Sequence, residues 1–131
     1  MQPKLLKTEL GEFSTAIFTG KNESGYDPMG DRVLVLPDQG SEKTSGGIFL
    51  DQETLERITA AAETGILVAC GDEAFVWNSD RRRKWEGRKP EIGQRVYFER
   101  YAGALIRGDD GKTYRCMDDK AVACIRSREA G

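Results

Sequence analysis

The amino-acid sequence predicts an all-β fold, a small β-barrel in a single domain, on three observations. β-favouring apolar runs of four or five residues recur at close spacing. The breaks between them are built from Gly, Asp and Asn, the residues that turn a chain sharply. The length, 131 residues, suits one domain with a real core and leaves no room for a separate cofactor-binding domain.

The elements follow in order. Met1 to Asp27 mixes Lys4, Lys7, Glu9, Glu12, Lys21 and Glu23 with a short apolar patch at Ala16-Ile17-Phe18, and reads as an extension with one strand near Phe13 to Thr19. Pro28 stops what precedes it. Val33-Leu34-Val35-Leu36 is a continuous apolar run, which predicts a strand buried on both faces. A polar, Gly- and Ser-rich stretch leaves from its end, Pro37 to Gly47, and stops abruptly at Ile48-Phe49-Leu50. Such a stretch has too little apolar surface to order itself, so residues 37–50 are expected to form a flexible loop with an apolar end. Asp51 is positioned to cap a short helix through Leu55, Ile58 and Ala62, with Gly65 ending it.

Ile66 to Cys70 is the next strand. Residues 72–92 place Phe75-Val76-Trp77 and Trp85 on either side of a polar tip, Asn78 to Lys84, the pattern of a β-hairpin whose arms the tryptophans pack together. Arg95 to Phe98, Leu105-Ile106, Thr113 to Met117 and Ala121 to Ile125 are further strands, with a hairpin turn at Gly108-Asp109-Asp110-Gly111.

Composition narrows the function. A net charge of -2 with 38% hydrophobic and 32% charged residues describes a soluble globular protein without the global basic excess of a nucleic-acid binder. Charges run through the first thirty residues and no apolar run approaches about 18, so neither signal peptide nor membrane span is expected, and a cytoplasmic location is. Cys70, Cys116 and Cys124 lie far apart and are expected to be reduced, core-packed thiols. With no histidine there is no ordinary zinc set and no commonplace general base, and the 22 carboxylates show no catalytic spacing. No catalytic residue, metal ligand or cofactor site is therefore assigned.

Five stretches in one order resemble the GroES-type co-chaperonin family, over roughly Pro28 to Ile125. They are Pro28-Met29-Gly30-Asp31-Arg32-Val33-Leu34-Val35, Ser45-Gly46-Gly47-Ile48-Phe49-Leu50, Gly65 to Gly71, Ile92-Gly93-Gln94-Arg95-Val96-Tyr97-Phe98, and the ending Met117 to Ile125. The resemblance implies a GroES-like β-barrel over residues 28–131 with a mobile loop at 37–50 and a roof hairpin at 72–92, preceded by an extension at 1–27. It implies a homoheptameric ring that caps a GroEL-type chaperonin and encloses an unfolded client, while the partner binds and hydrolyses ATP. Ile48, Phe49 and Leu50 would be the chaperonin contacts, Gly46 and Gly47 their hinge, and Val122 to Ile125 the seam with a neighbour's first strand.

The departures from the family pattern are informative. The extension is left with three places: the outer wall, against a neighbouring subunit, or disordered. The hairpin is longer and more basic than the family's, carrying Arg81, Arg82, Arg83, Lys84, Arg88 and Lys89 against Asp80, Glu86 and Glu91. Repeated around a ring, these charges suit an open roof, a bound anion or acidic partner, or simply a solvated tip. Together with Phe49 in the apolar triplet, these features suggest a divergent copy, of the kind a bacteriophage carries. Two other classes of protein share features with this chain. A zinc-dependent dehydrogenase shares this barrel but lacks room and ligands here. A nucleic-acid-binding barrel would use the basic hairpin 77–91, with Trp77 and Trp85 for stacking.

Overall fold

The structure is a computed structural model that describes residues 5–8, 11–40, 51, 53–54, 57, 61–78, 80 and 82–126. Its strands are β1 (Leu5–Thr8), β2 (Gly11–Ser14), β3 (Arg32–Pro37), β4 (Gln39–Gly40), β5 (Thr64–Cys70), β6 (Arg95–Phe98), β7 (Ala104–Arg107), β8 (Thr113–Asp118) and β9 (Val122–Ile125). Six of them form one antiparallel sheet in the order β7-β8-β3-β5-β6-β9, and β1-β2-β4 form a second, smaller one. No helix among the described residues is long and apolar enough to cross a membrane.

Alternation along the strands separates two faces of the large sheet. Val33 and Val35 from β3 meet Leu67, Val96, Phe98 and Met117 in one buried cluster, which curls the sheet into the expected barrel. Leu34 and Leu36 point the other way and join Ile66, Val68 and Tyr114. β3 is thus buried on both faces, as its unbroken apolar run predicts. Register shifts between Leu34 and Val35, where β3 meets β5, and between Tyr97 and Phe98, where β6 meets β9, are bulges of the kind that bend a sheet.

The second face is closed by the N-terminal extension. Ala16 and Phe18 pack against the Leu34, Leu36, Ile66, Val68 and Tyr114 cluster, and Ser24, fully buried, accepts a hydrogen bond at its carbonyl from the Asp109 N–H at 2.8 Å. From Ala16 to Ser24 the extension therefore runs as a strap along the outer wall. The strand expected near Phe13 to Thr19 is instead β2, ending at Ser14, because the Ala16 N–H is taken by the Asp38 carboxylate and not by a strand partner.

Two further expectations are corrected. Gly65 does not stop a helix but lies inside β5, paired with Pro37 and Val96. A Cβ there would sit 2.5 Å from the Leu36 carbonyl oxygen, so β3 and β5 can approach only with glycine at this point. Of the cysteines only Cys116, half-buried, packs against the core; Cys70 and Cys124 are exposed, since the first ends its strand and the second faces outward on the edge strand β9.

Candidate functional site: the loop root and the basic hairpin

Of the predicted loop 37–50, Pro37, Asp38 and Gln39 are fastened to the barrel and Gly40 pairs with β2. Gly46, Gly47, Ile48, Phe49 and Leu50 lie outside the described residues. Asp38 follows the buried run of β3 and its side chain is 1% exposed. A carboxylate buried this deeply is costly unless hydrogen-bonded on all sides. Here it accepts from the Ala16 N–H at 2.8 Å, the Thr64 hydroxyl at 2.5 Å, and Arg95 Nη1 and Nη2 at 3.2 and 2.8 Å. One side chain thus ties the strap, β5 and β6 to the point where the chain leaves the barrel. Gln39 adds a second fastening: its carboxamide donates to the Thr113 carbonyl at 3.2 Å and accepts from the Thr113 N–H at 3.4 Å.

The returning limb is held differently. Asp51 accepts the Thr54 N–H at 2.7 Å, the cap expected from sequence, and hydrogen bonding to the Thr54 side chain first and to its N–H second holds the Asp51 carboxyl below the usual range. Glu53, Thr54 and Arg57 have helical backbone, while Leu55 and Ile58 lie outside the described residues. The helix does not reach Ala62. That residue is buried, and its carbonyl accepts Arg115 Nη1 at 2.7 Å. Arg115 is itself 1% exposed, donates through Nε to the Ala102 carbonyl at 3.0 Å, and lies 5.0 Å from the centre of the Phe98 ring. Burial pushes its guanidinium below its ordinary value. The two ends of the 39–61 connection are thus anchored by a buried anion, Asp38, and a buried cation, Arg115.

The second predicted feature is the hairpin. Trp77 and Lys84 form an antiparallel bridge, flanked by Asn78 N–H to Arg83 carbonyl and Trp85 N–H to Val76 carbonyl bonds, both 2.8 Å. The arms are joined by Phe75 and Trp85, edge to face at 5.3 Å between ring centres, rather than by Trp77 with Trp85. Phe75 holds a left-handed backbone, φ 58°, which its N–H bond of 2.8 Å to the fully buried Asp119 carboxylate stabilises. The other oxygen of Asp119 is paired with Lys120 at 2.9 Å. At the tip, Arg82, Arg83 and Lys84 are exposed, and Arg83 meets Asp80 at 3.4 Å; Arg81 lies outside the described residues. Arg88 and Lys89 are exposed as well. A groove of about 200 Å³ runs between Trp85, Arg88 and Pro90 of this segment and the β9 edge strand.

Asp38, Arg95, Arg115 and Asp119 were not singled out from the sequence. Asp38 sits in a Pro-Asp-Gln turn signature, and Arg115 is marked only by lying among Tyr114, Cys116 and Met117 on a strand.

These features define an all-β interaction module: a barrel that anchors both limbs of a long connection and pins a basic hairpin to its wall. The sequence profile of the chaperonin 10 Kd subunit family (Cpn10) matches residues 25–126, and the chain belongs to that family. It is 37% identical over 82 residues to a co-chaperonin GroES of Treponema denticola, covering 63% of this chain and 76% of the relative. It is 32% identical over 98 residues to the co-chaperonin GroES of Bacillus sp. strain PS3, covering 75% and 95%. A 20 kDa chloroplastic chaperonin of Arabidopsis thaliana is 29% identical over 100 residues, 76% of this chain and 36% of that one.

Proposed function

We propose that this protein is a co-chaperonin that caps a GroEL-type chaperonin ring and assists the folding of an unfolded client enclosed beneath it. The observation that supports this most directly is the family match over residues 25–126, which contains the whole connection between the two anchored limbs. Ile48, Phe49 and Leu50 are the chaperonin contacts in this reading, with Gly46 and Gly47 as their hinge. ATP is bound and hydrolysed by the chaperonin.

The energetics favour a ring. Three apolar side chains contribute about 1.5–3 kcal/mol each on burial, while each loop residue ordered costs about 1–2 kcal/mol. A single loop is therefore a weak ligand, and several loops on one ring bind through the effective concentration that each engagement creates. The reading takes seven protomers, joined along β9 to a neighbour's first strand, working in the cytoplasm, with residues 28–131 as the co-chaperonin domain and 72–92 as its roof. The extension and the long basic hairpin mark a specialised copy, of the kind a bacteriophage carries. The comparisons give no support to a nucleic-acid role for the hairpin.

The test is capture of a GroEL-type chaperonin with ATP or ADP by the intact protein and by Ile48→Ser/Phe49→Ser. Nucleotide-dependent capture that disappears in the double variant is expected. Equal capture by both proteins would remove the triplet from the contact, and no capture by the intact protein would remove the cap function.

A further inference from the structure

We propose that the N-terminal strap is a positioning device for the chaperonin-binding loop, with Asp38 and Gln39 as its positioning residues; this rests on the co-chaperonin reading above. β4, the stretch Gln39–Gly40 by which the chain enters the loop, belongs to no part of the six-stranded sheet. Its partner is β2, with Phe13 opposite Gly40 and Ser14 opposite Gln39, and β2 is in turn paired along its length with β1. A strand from the extension thus extends the loop root by backbone pairing, the same addition by which peptides dock to open sheet edges.

Side chains reinforce that pairing from two directions. Asp38 takes the Ala16 N–H on the strap side and the Arg95 guanidinium on the barrel side. Gln39 holds both backbone groups of Thr113, at the start of β8. Beyond Ala16 the strap is committed to the outer wall through Phe18, and to the β7–β8 turn through the Ser24 carbonyl and the Asp109 N–H. The root is therefore gripped by a segment that is itself fixed at its far end.

The family match begins at residue 25, so β1, β2, Ala16 and Phe18 all lie before it. The strap's share of the grip, the β2 pairing and the Ala16 N–H on Asp38, is an addition to the family barrel, whereas the Arg95 and Thr113 contacts lie within it. The physical consequence of that addition is that Gln39 and Gly40, ordered before binding, need not be ordered during it, which raises affinity. Each protomer of a ring carries the same gain.

The experiment uses the full chain and two variants. Ala16→Pro/Gln39→Ala removes the strap's donor to Asp38 and the carboxamide on Thr113; deletion of residues 1–14 removes the strand partner of β4 and keeps Ala16 and Phe18. Amide hydrogen exchange at Gln39 and Gly40 is measured beside affinity for an ADP-loaded GroEL-type chaperonin. Faster exchange at whichever of those two amides faces β2, unchanged exchange in β3 and β5, and a fall in affinity of about tenfold or more are expected in both variants. Unchanged exchange at Gln39 and Gly40 would show that the strap does not hold the root. Faster exchange with unchanged affinity would reduce the strap to a cover for the outer wall. Either result overturns the proposal. Ile48→Ser/Phe49→Ser is the control: if it binds as the parent does, the loop reading itself has failed and the proposal falls with it, a result distinct from either of the others.

Discussion

The two faces of β3 are equally buried, yet they are covered by different parts of the chain. Val33 and Val35 meet residues that all lie within the family-matched barrel, between Leu67 and Met117. Leu34 and Leu36, on the opposite face, join Ile66, Val68 and Tyr114, and that cluster is closed from outside by Ala16 and Phe18 of the extension. Among the described residues, the inner face is covered without the extension and the outer face is not. An apolar run on a strand shows that both faces need cover, and leaves open where the cover comes from. In this chain an added segment supplies it, and in doing so passes the root of the 39–61 connection.

The largest effect expected from this contrast is on the inner face. Leu67 is completely buried among Val33, Val35, Val96 and Phe98, where no neighbour can shift without disturbing another strand. Leu67→Ala should lower the unfolding free energy by about 2–5 kcal/mol, measured by urea denaturation at fixed protomer concentration. A loss below about 1 kcal/mol would mean that the inner cluster relaxes around the cavity and is not the rigid half of the comparison.

Phe18→Ala probes the outer face and should cost less, about 1–2 kcal/mol, because the ring is only partly buried. The ring also lies against Gly93, whose φ of 90° is open to glycine and strained for other residues, so the strap reaches the turn before β6. A loss as large as that of Leu67→Ala would reverse the ranking of the two faces. No loss at all would show that the strap is not needed to close the outer wall.

The same contrast explains what could be read in advance. Val33 to Leu36, Ile66 to Cys70, Arg95 to Phe98, Thr113 to Met117 and the Gly108 to Gly111 turn are visible because local pattern and turn chemistry determine them. Asp38 is not visible, because its meaning comes from donors 22, 26 and 57 residues away, while its neighbours Pro37 and Gln39 spell an ordinary turn. Gly65 looks like a helix stop for the same reason: the close approach to Leu36 that requires it is a tertiary fact. Phe75 carries no local sign of a positive φ, which depends on Asp119, 44 residues later. The assignment of Ile48, Phe49 and Leu50 as chaperonin contacts is a proposal from the family resemblance and rests on the binding test.

The smallest effect concerns the part of the outer face that the strap leaves to water. There Tyr97, 47% exposed, and Arg100 both donate to the Glu63 carboxylate. The Tyr97 hydroxyl first, and Arg100 after it, hold that carboxyl below the usual glutamate range. A carboxylate depressed in the folded state stabilises the fold above its unfolded value, about 4.3, and loses that contribution as pH falls through the folded value. Glu63→Gln should therefore be slightly less stable than the parent at pH 7, by under about 1 kcal/mol for so exposed a cluster. The gap should close as the pH is lowered below about 4.3, where the parent's carboxylate takes up its proton. Urea midpoints for the two proteins at neutral and acid pH measure it. A gap that persists or widens on acidification would mean that Glu63 acts through packing and not through charge, and that the outer face, like the inner, is held by apolar contact even where the strap does not reach.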